Sequence, residues 1–594
     1  MYKRTLYENP VSKQSISHPP HFNMRWNRLS FVSFFLLGFV QADIVERVYN
    51  STQRAELGAN DILIIYGTGK DDKFTYNNYS GSGVVYFKSH TFSKENTVFR
   101  LNTNIPNVYT SNKVFVIGNA FSLYNSTLSS NSYGSNRIIV LTNELPNSSG
   151  GIDILPEGAL LSNQNNTTTY DNPIQIKGVG GVRQDWGKTL IVSGKISDYV
   201  DDNNVVTPGK LIIECDGNDI RLTNGSNDYS GGTQIGGGNV PSGGVPASGS
   251  TTLTVYANGT PLGTGPISFG YNTSSSNSSL VLNNHTITLG GFDGDKAGSV
   301  NGSGSLTIQN DSDYSAPGIT LSGITSLIKN GSGSQTVGAT NVTGSTEINA
   351  GILKLMGDST LYNLSGGSDS NPVTLDVTGK TLTLNNTELT KFIGSITASS
   401  VTVNATDDAP FQIYTAANGL VDADSFVVSS GRVDVKGCME ANVSVEADAT
   451  FSPGNSVGNV NIDGDFTLNG DLLIEVDATG ADTLVCEGFT LNGGTVMLNW
   501  QDDEIPFFAT CDLITSTSDL SDVYANLGEN LDFSTSPEVE QLFNDGYITL
   551  QLVAGNSNNI IRLSIDRNAV PEPSTWALLV LGVAALFLRK RVRS

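Results

Sequence analysis

The chain is poor in cysteine, histidine, basic residues and long apolar runs, and each shortage closes off a class of protein. Four cysteines in 594 residues are too few for a fold that depends on disulfides. Cys215, Cys438, Cys486 and Cys511 could pair in three ways, and spacing does not choose among them. Of four histidines, His90 and His285 lie 195 residues apart in alternating, strand-like contexts, which does not suit a zinc site or a catalytic pair. The 33 basic residues face 57 acidic ones. Setting aside residues 1–42 (five basic, one acidic) and 570–594 (four basic, one acidic) leaves 24 against 55, a net charge of −31. Such a body repels phosphate backbones and anionic lipid, which excludes nucleic acid as a partner. Charged residues make up only 15% and apolar ones 38%, so the chain is not a disordered polyelectrolyte.

Two apolar runs stand out, one near each end. From Met24 the chain reads "MRWNRLSFVSFFLLGFVQADIVE". Arg25 and Arg28 form a basic n-region, Leu29 to Val40 an apolar h-region, and Val40-Gln41-Ala42 a small-residue cleavage site. Cleavage between Ala42 and Asp43 is expected, with Met24 as the true start and residues 1–42 as leader and secretory signal peptide. Export through the general secretion translocon follows. The other run, Trp576 to Leu588, has 13 residues, about 20 Å of helix, against the roughly 30 Å of a bilayer core. Arg589, Lys590, Arg591 and Arg593 follow it and hold that end in the cytoplasm. A short transmembrane helix, a marginal membrane anchor, is expected there.

Before this helix stands Pro571-Glu572-Pro573, where two prolines forbid helix and keep Glu572 extended and accessible. The order of Pro-Glu-Pro, apolar segment and basic end, over residues 570–594, resembles the PEP-CTERM sorting signal of Gram-negative bacteria. The resemblance implies that an exosortase-type membrane protease recognises Pro571, Glu572 and Pro573 and releases the protein, often into extracellular polysaccharide. It implies a location in the cell envelope, at the cell surface or in the extracellular matrix, with the membrane as a transient anchor.

Between the ends, period-two alternation is nearly continuous and helical periodicity nearly absent. In "VTLDVTGKTLTLNN", Val373, Leu375 and Val377 share one face, and Leu382 and Leu384 resume it after Gly379. "GNVNIDGDFTLNGDLLIEV" does the same with Val460, Ile462, Phe466, Leu468, Leu472, Ile474 and Val476. Short strands stopped so regularly by Gly, Asn or Asp suit a coiled stack, each turn burying its inward row on the one below, with roughly 20–25 residues per coil. Within it, period two puts Ile348, Leu353 and Leu355 inward and Lys354 outward.

"SLIKNGSGSQTVGATNVTGSTEINAGILKL", Ser326 to Leu355, resembles the autotransporter-associated β-strand repeat: Leu327 and Ile328 open it, Lys329, Gly331 and Gly333 follow, and Ile348, Leu353 and Leu355 close it. A worn copy resembling it lies at Ile220 to Gly238. Phe451 to Trp500 resembles the closing segment of autotransporter passengers, with Pro453-Gly454-Asn455-Ser456, Gly458, and Asp482 and Leu484 in their usual order. The resemblance implies an all-β fold, a right-handed parallel β-helix over 43–500, with 451–500 as its closing segment and 501–569 as a C-terminal β cap. It departs from true autotransporters, in which a membrane barrel follows; here only 501–594 remain.

Parallel β-helices also host polysaccharide lyases and glycosidases, for which paired carboxylates serve as acid and base. Asp201-Asp202 and Asp407-Asp408 are the candidates, both in turn-like contexts where acidic residues are ordinary. "GGFDGDKAG", Gly290 to Gly298, is similar to a calcium-binding nonapeptide but occurs once. Calcium is the one cofactor it suggests; otherwise no cofactor, metal or phosphate-loop motif is expected. Three readings compete. The first is a noncatalytic surface or matrix protein, adhesive or associated with extracellular polysaccharide. The second is a lyase or glycosidase on the coil, and the third a structural spacer. The missing catalytic constellation favours the first, and the protein is expected not to be an enzyme.

Overall fold

The computed structural model describes residues 138–566 apart from short stretches such as 237–250, and before them the backbone of short strands between Ile44 and Leu123. The strands wind into a parallel β-solenoid of about 14 turns. Parallel pairing begins with Ile44–Val48 on Ile62–Tyr66, then Val84–Lys88, Lys113–Ile117, Ile138–Thr142 and Ile174–Gln184. From Thr252 onward one sheet carries the coils without a break to Asp566.

Alternation sets which side chains fill the coil. Ile348, Leu353 and Leu355 are buried, while Lys354 points out and pairs with Asp376 of the next coil at 2.7 Å. Inward residues stack in columns: Leu280, Val300 and Leu321 form one, and Leu353, Leu375, Ile396 and Val421 another. Each such residue removes its side chain from water, about 2 kcal/mol for a Leu or Ile. Phe466 stacks on Phe489 at 5.4 Å and meets Phe451 edge-on at 5.3 Å.

Coil length varies more than the spacing of turn residues suggests. Val337 pairs with Leu355, 18 residues on, but Ile139 pairs with Ile174, 35 on. Longer coils explain why the turns are fewer than a uniform 20–25 residues would give over 43–500.

The C-terminal end adds helices to the strands expected for it. Phe508–Ser516, Asn559–Asp566 and Ile548–Ala554 do form an antiparallel sheet, paired in that order. Two short helices, α1 (Ser521–Leu527) and α2 (Pro537–Asn544), are added to it. In α1, Val523 and Leu527 are one turn apart and both buried, and just before it Asp519 accepts the Ser521 N–H at 2.9 Å and hydroxyl at 2.7 Å. A single turn of apolar spacing is too short to stand out from alternating sequence, so the helices were not legible there.

Candidate functional site

The residues singled out for acid–base chemistry are placed apart. Asp201 sits at the tip of a hairpin, where its carboxylate accepts the N–H groups of Asn203 and Val205, and Asp202 is exposed beside it. Asp407 and Asp408 are exposed in a turn closed by the Ala409 N–H on the Thr406 carbonyl. Burial raises the Asp471 carboxyl, and the charges of Asp532 and Asp407 add to the rise. His285 lies in a turn with Nδ1 2.8 Å from the Asn283 carbonyl. In the calcium-like stretch, Asp293 and Asp295 are exposed and Lys296 pairs with Asp295 at 3.1 Å. Among the described residues no group of three or more His, Cys, Asp or Glu side chains is arranged to hold a metal ion. Cys438, Cys486 and Cys511 are free thiols; the Cys215 side chain, His90, Ala42, Asp43, Pro571, Glu572, Pro573 and the 576–588 segment lie outside the described residues.

Lys329 takes an inward position that alternation alone would give to an apolar residue. It stands in a column between Ile308 and Ile348 and is fully buried. Its ammonium donates to the carbonyls of Asn330 (2.9 Å), Gly331 (2.8 Å) and, one coil on, Ala350 (3.2 Å). Burial pushes its pKa down to about 8, against the opposing pull of Asp311 and Asp313. Gly331, at φ +78°, lies so close to the coil below that an added Cβ would sit 2.1 Å from the Asn310 carbonyl oxygen. The Lys329-x-Gly331-x-Gly333 spacing is therefore a corner: a cation collects carbonyls at the bend, and glycine lets the backbones touch.

The second feature is an outward column of small, uncharged side chains, all polar but Val427. Asn341, Thr360, Thr383, Thr402 and Val427 lie on successive coils, followed by Ser444, Thr467 and Thr490. The Glu446 N–H on the Val428 carbonyl joins the two runs. None of the eight is charged, and they repeat at the strand spacing of about 4.8 Å. Beside this column, neighbours bond to each other: Asn404 to Asn385 at 2.9 Å, Ser425 to Ser400 at 2.9 Å, Asn492 to Asn469 at 2.8 Å.

The third feature escaped the sequence reading. Asp434 and Glu475 point away from the coil interior yet are buried, at 0% and 5% exposure, and Asp482 beside them is buried at 0%. Arg432 reaches Asp434 at 2.6 Å and Glu475 at 3.7 Å. Gln412 donates to Asp434 and Gln501 to Glu475, at 3.3 and 3.1 Å. Asp482 accepts the N–H groups of Gly458 (2.7 Å) and Glu475 (2.8 Å), and Glu475 accepts that of Ser456. The Glu475 and Asp482 carboxyl groups thus tie the backbone at Ser456 and Gly458 to the next coil. Burial raises the Asp434 carboxyl and pushes Asp482 up to about 7, where Glu475 adds to the rise and the two N–H bonds oppose it. Within its strand Glu475 sits between Ile474 and Val476, a pattern identical to that of an exposed residue, so no local signal marks it.

Residues 569–591 match the PEP-CTERM protein-sorting motif. This signal indicates exosortase-dependent export and sorting to the bacterial cell envelope or surface. No curated protein matches the chain.

Proposed function

We propose that the protein is a noncatalytic surface or matrix protein whose solenoid binds neutral extracellular polysaccharide along the Asn341–Thr490 column. The observation that carries this reading is that column: eight coils present small, uncharged side chains in register. A sugar chain lying along it meets a hydroxyl or amide side chain on every coil but that of Val427, which suits hydrogen bonding without charge. The net acidic body argues against acidic glycans and anionic lipid. The reading needs no cofactor, and neither Asp201-Asp202 nor Asp407-Asp408 has the buried, paired setting of an acid–base couple. The right hand of the coil follows from the handedness of parallel crossovers and from the likeness of Ser326 to Leu355 to the autotransporter-associated repeat.

In this account the general secretion translocon exports the chain in a Gram-negative cell, the 576–588 segment anchors it, and an exosortase cuts at Pro571-Glu572-Pro573. Replacing those three residues with Ala should leave export intact and trap the protein at the membrane, read by fractionation with intact-mass analysis. Retention of the 576–594 tail by the native protein in an exosortase-bearing host would contradict the cut.

Binding is tested by pull-down of the full chain with neutral and acidic polysaccharides. Thr383→Glu combined with Thr402→Glu should weaken retention by neutral glycan at least tenfold, whereas Thr307→Glu, on another outward column, should not. A spacer reading is favoured by the bonds that neighbouring coils make to each other, and it gains if no glycan retains the wild type.

A further inference from the structure

We propose that two copies of the chain pair antiparallel along the open edge of the Ile548–Ala554 strand, with a two-fold axis at Gln551. Among the described residues this strand is bonded on one side alone, to Asn559–Asp566. The Asp566 N–H on the Tyr547 carbonyl and the Gly555 N–H on the Asn558 carbonyl set which residues bond to that neighbour: Thr549, Gln551 and Val553. Ile548, Leu550, Leu552 and Ala554 therefore aim their N–H and C=O groups at the open edge. The Tyr524 hydroxyl, reaching over from α1, donates to the Leu550 carbonyl at 3.0 Å. That bond agrees with the outward direction and leaves the oxygen a second lone pair.

Exposed edges are ordinarily guarded by charge, proline or a bulge. The strand reads "ITLQLVA", with no charge and no proline. Its register with Asn559–Asp566 is unbroken, whereas that of Phe508–Ser516 shifts between Asp512 and Ile514. Apolar surface is open at the same place: Tyr524 is 37% exposed, and Leu550 and Leu552 are only half-buried.

A second copy fits because the strand is nearly symmetric about Gln551. Turned end for end, it sets Leu550 against Leu552 as hydrogen-bonded pairs on the core-facing side, and Thr549 against Val553 on the solvent side. Charge selects the antiparallel sense. Asp545 and Asp566 stand at the Ile548 end, and residues 555–559 at the other end carry no charge. Antiparallel pairing sets each acidic end against the partner's neutral one. The two acidic ends then lie about 20 Å apart, beyond the Debye length of roughly 8 Å; parallel pairing would stack them. One strand pair is small beside the roughly 1,200–2,000 Å² of a stable interface, so the association is weak and grows with concentration.

Sedimentation velocity of the full chain in detergent, over a rising concentration series, tests this. The wild type should pass from monomer to dimer. Gln551 meets its own copy across the axis as a closely spaced pair. Gln551→Lys and Gln551→Glu should therefore each weaken association at least tenfold, and an equimolar mixture of the two should regain it. Both variants should fold, since Gln551 is exposed and Arg562, opposite it in the sheet, is already paired with Asp512. A wild type that stays monomeric at every concentration overturns the proposal. So does association shared equally by the wild type and both variants, which would come from the apolar tail. Loss in both variants without recovery in the mixture overturns the pairing at Gln551.

Discussion

The described solenoid has two regions built on the same interior and different perimeters. Before residue 292 the coils are uneven: Ile44 meets Ile62 after 18 residues, but Ile139 meets Ile174, Gly178 meets Gly209 and Thr233 meets Ile267 after 35, 31 and 34. After residue 298, as far as Trp500, they run between 18 and 26 residues, from Val337 on Leu355 to Gly366 on Phe392. Both regions stack apolar residues inward. They differ in how the outer surface is tied. In these more even coils like residues fall above one another, and Asn385–Asn404, Ser400–Ser425 and Ser326–Ser345 bond side chain to side chain. In the earlier coils unlike groups meet as well: Ser230 bonds Asp198 at 2.7 Å, and Asn224 and Asn227 donate to the Ser193 and Pro261 carbonyls at 3.1 and 2.8 Å. Where coil lengths stay within a narrower range, outward polar residues fall in register and form ladders.

The largest effect should come from charging the shared interior. Leu355→Asp is expected to cost about 4 kcal/mol, and Leu190→Asp in the long-coil region as much, measured by chemical denaturation. A clearly smaller cost at Leu190 would show that the two interiors differ. Lys354→Asp, one residue from Leu355 and outward, loses the pair with Asp376 and should cost only about 1 kcal/mol.

Lys329→Ala should cost about 3 kcal/mol, because it strands carbonyls at a buried corner and leaves a void. A cost under about 1 kcal/mol would mean that the lysine does not tie its coils. Next, Gly331→Ala should cost about 2–3 kcal/mol, since its Cβ collides with the Asn310 carbonyl. Gly379→Ala, equally left-handed at φ +71° but with nothing within 4 Å, should cost about 1 kcal/mol. Their difference in melting temperature isolates close coil contact from backbone strain.

The smallest effects probe the perimeter. Asn404→Ala should cost about 1 kcal/mol through its ladder bond. Inserting Gly-Ser-Gly after Asn203, at the tip of the hairpin that lengthens an N-terminal coil, should cost less than about 0.5 kcal/mol. If the insertion proves the more damaging of the two, coil length is constrained in both regions and the comparison fails.

Sequence alone determined what depends on neighbours two residues apart or on an unbroken run. Period two placed Leu353 and Leu355 inside and Lys354 outside, because a strand offers no other choice. Regular Gly, Asn and Asp stops made a coil of short strands the natural reading, and the order of Pro571-Glu572-Pro573, apolar segment and cations pointed to the sorting signal. Only the tertiary structure decided coil length, since pairing partners 18 or 35 residues apart leave the same local alternation. It also decided the fate of outward residues. Thr383 and Glu475 both point away from the coil, but one faces solvent on a ladder and the other lies beneath a turn from elsewhere in the chain. Whether an outward side chain is exposed depends on what distant chain covers it, and that is a fact of three dimensions which no local pattern contains.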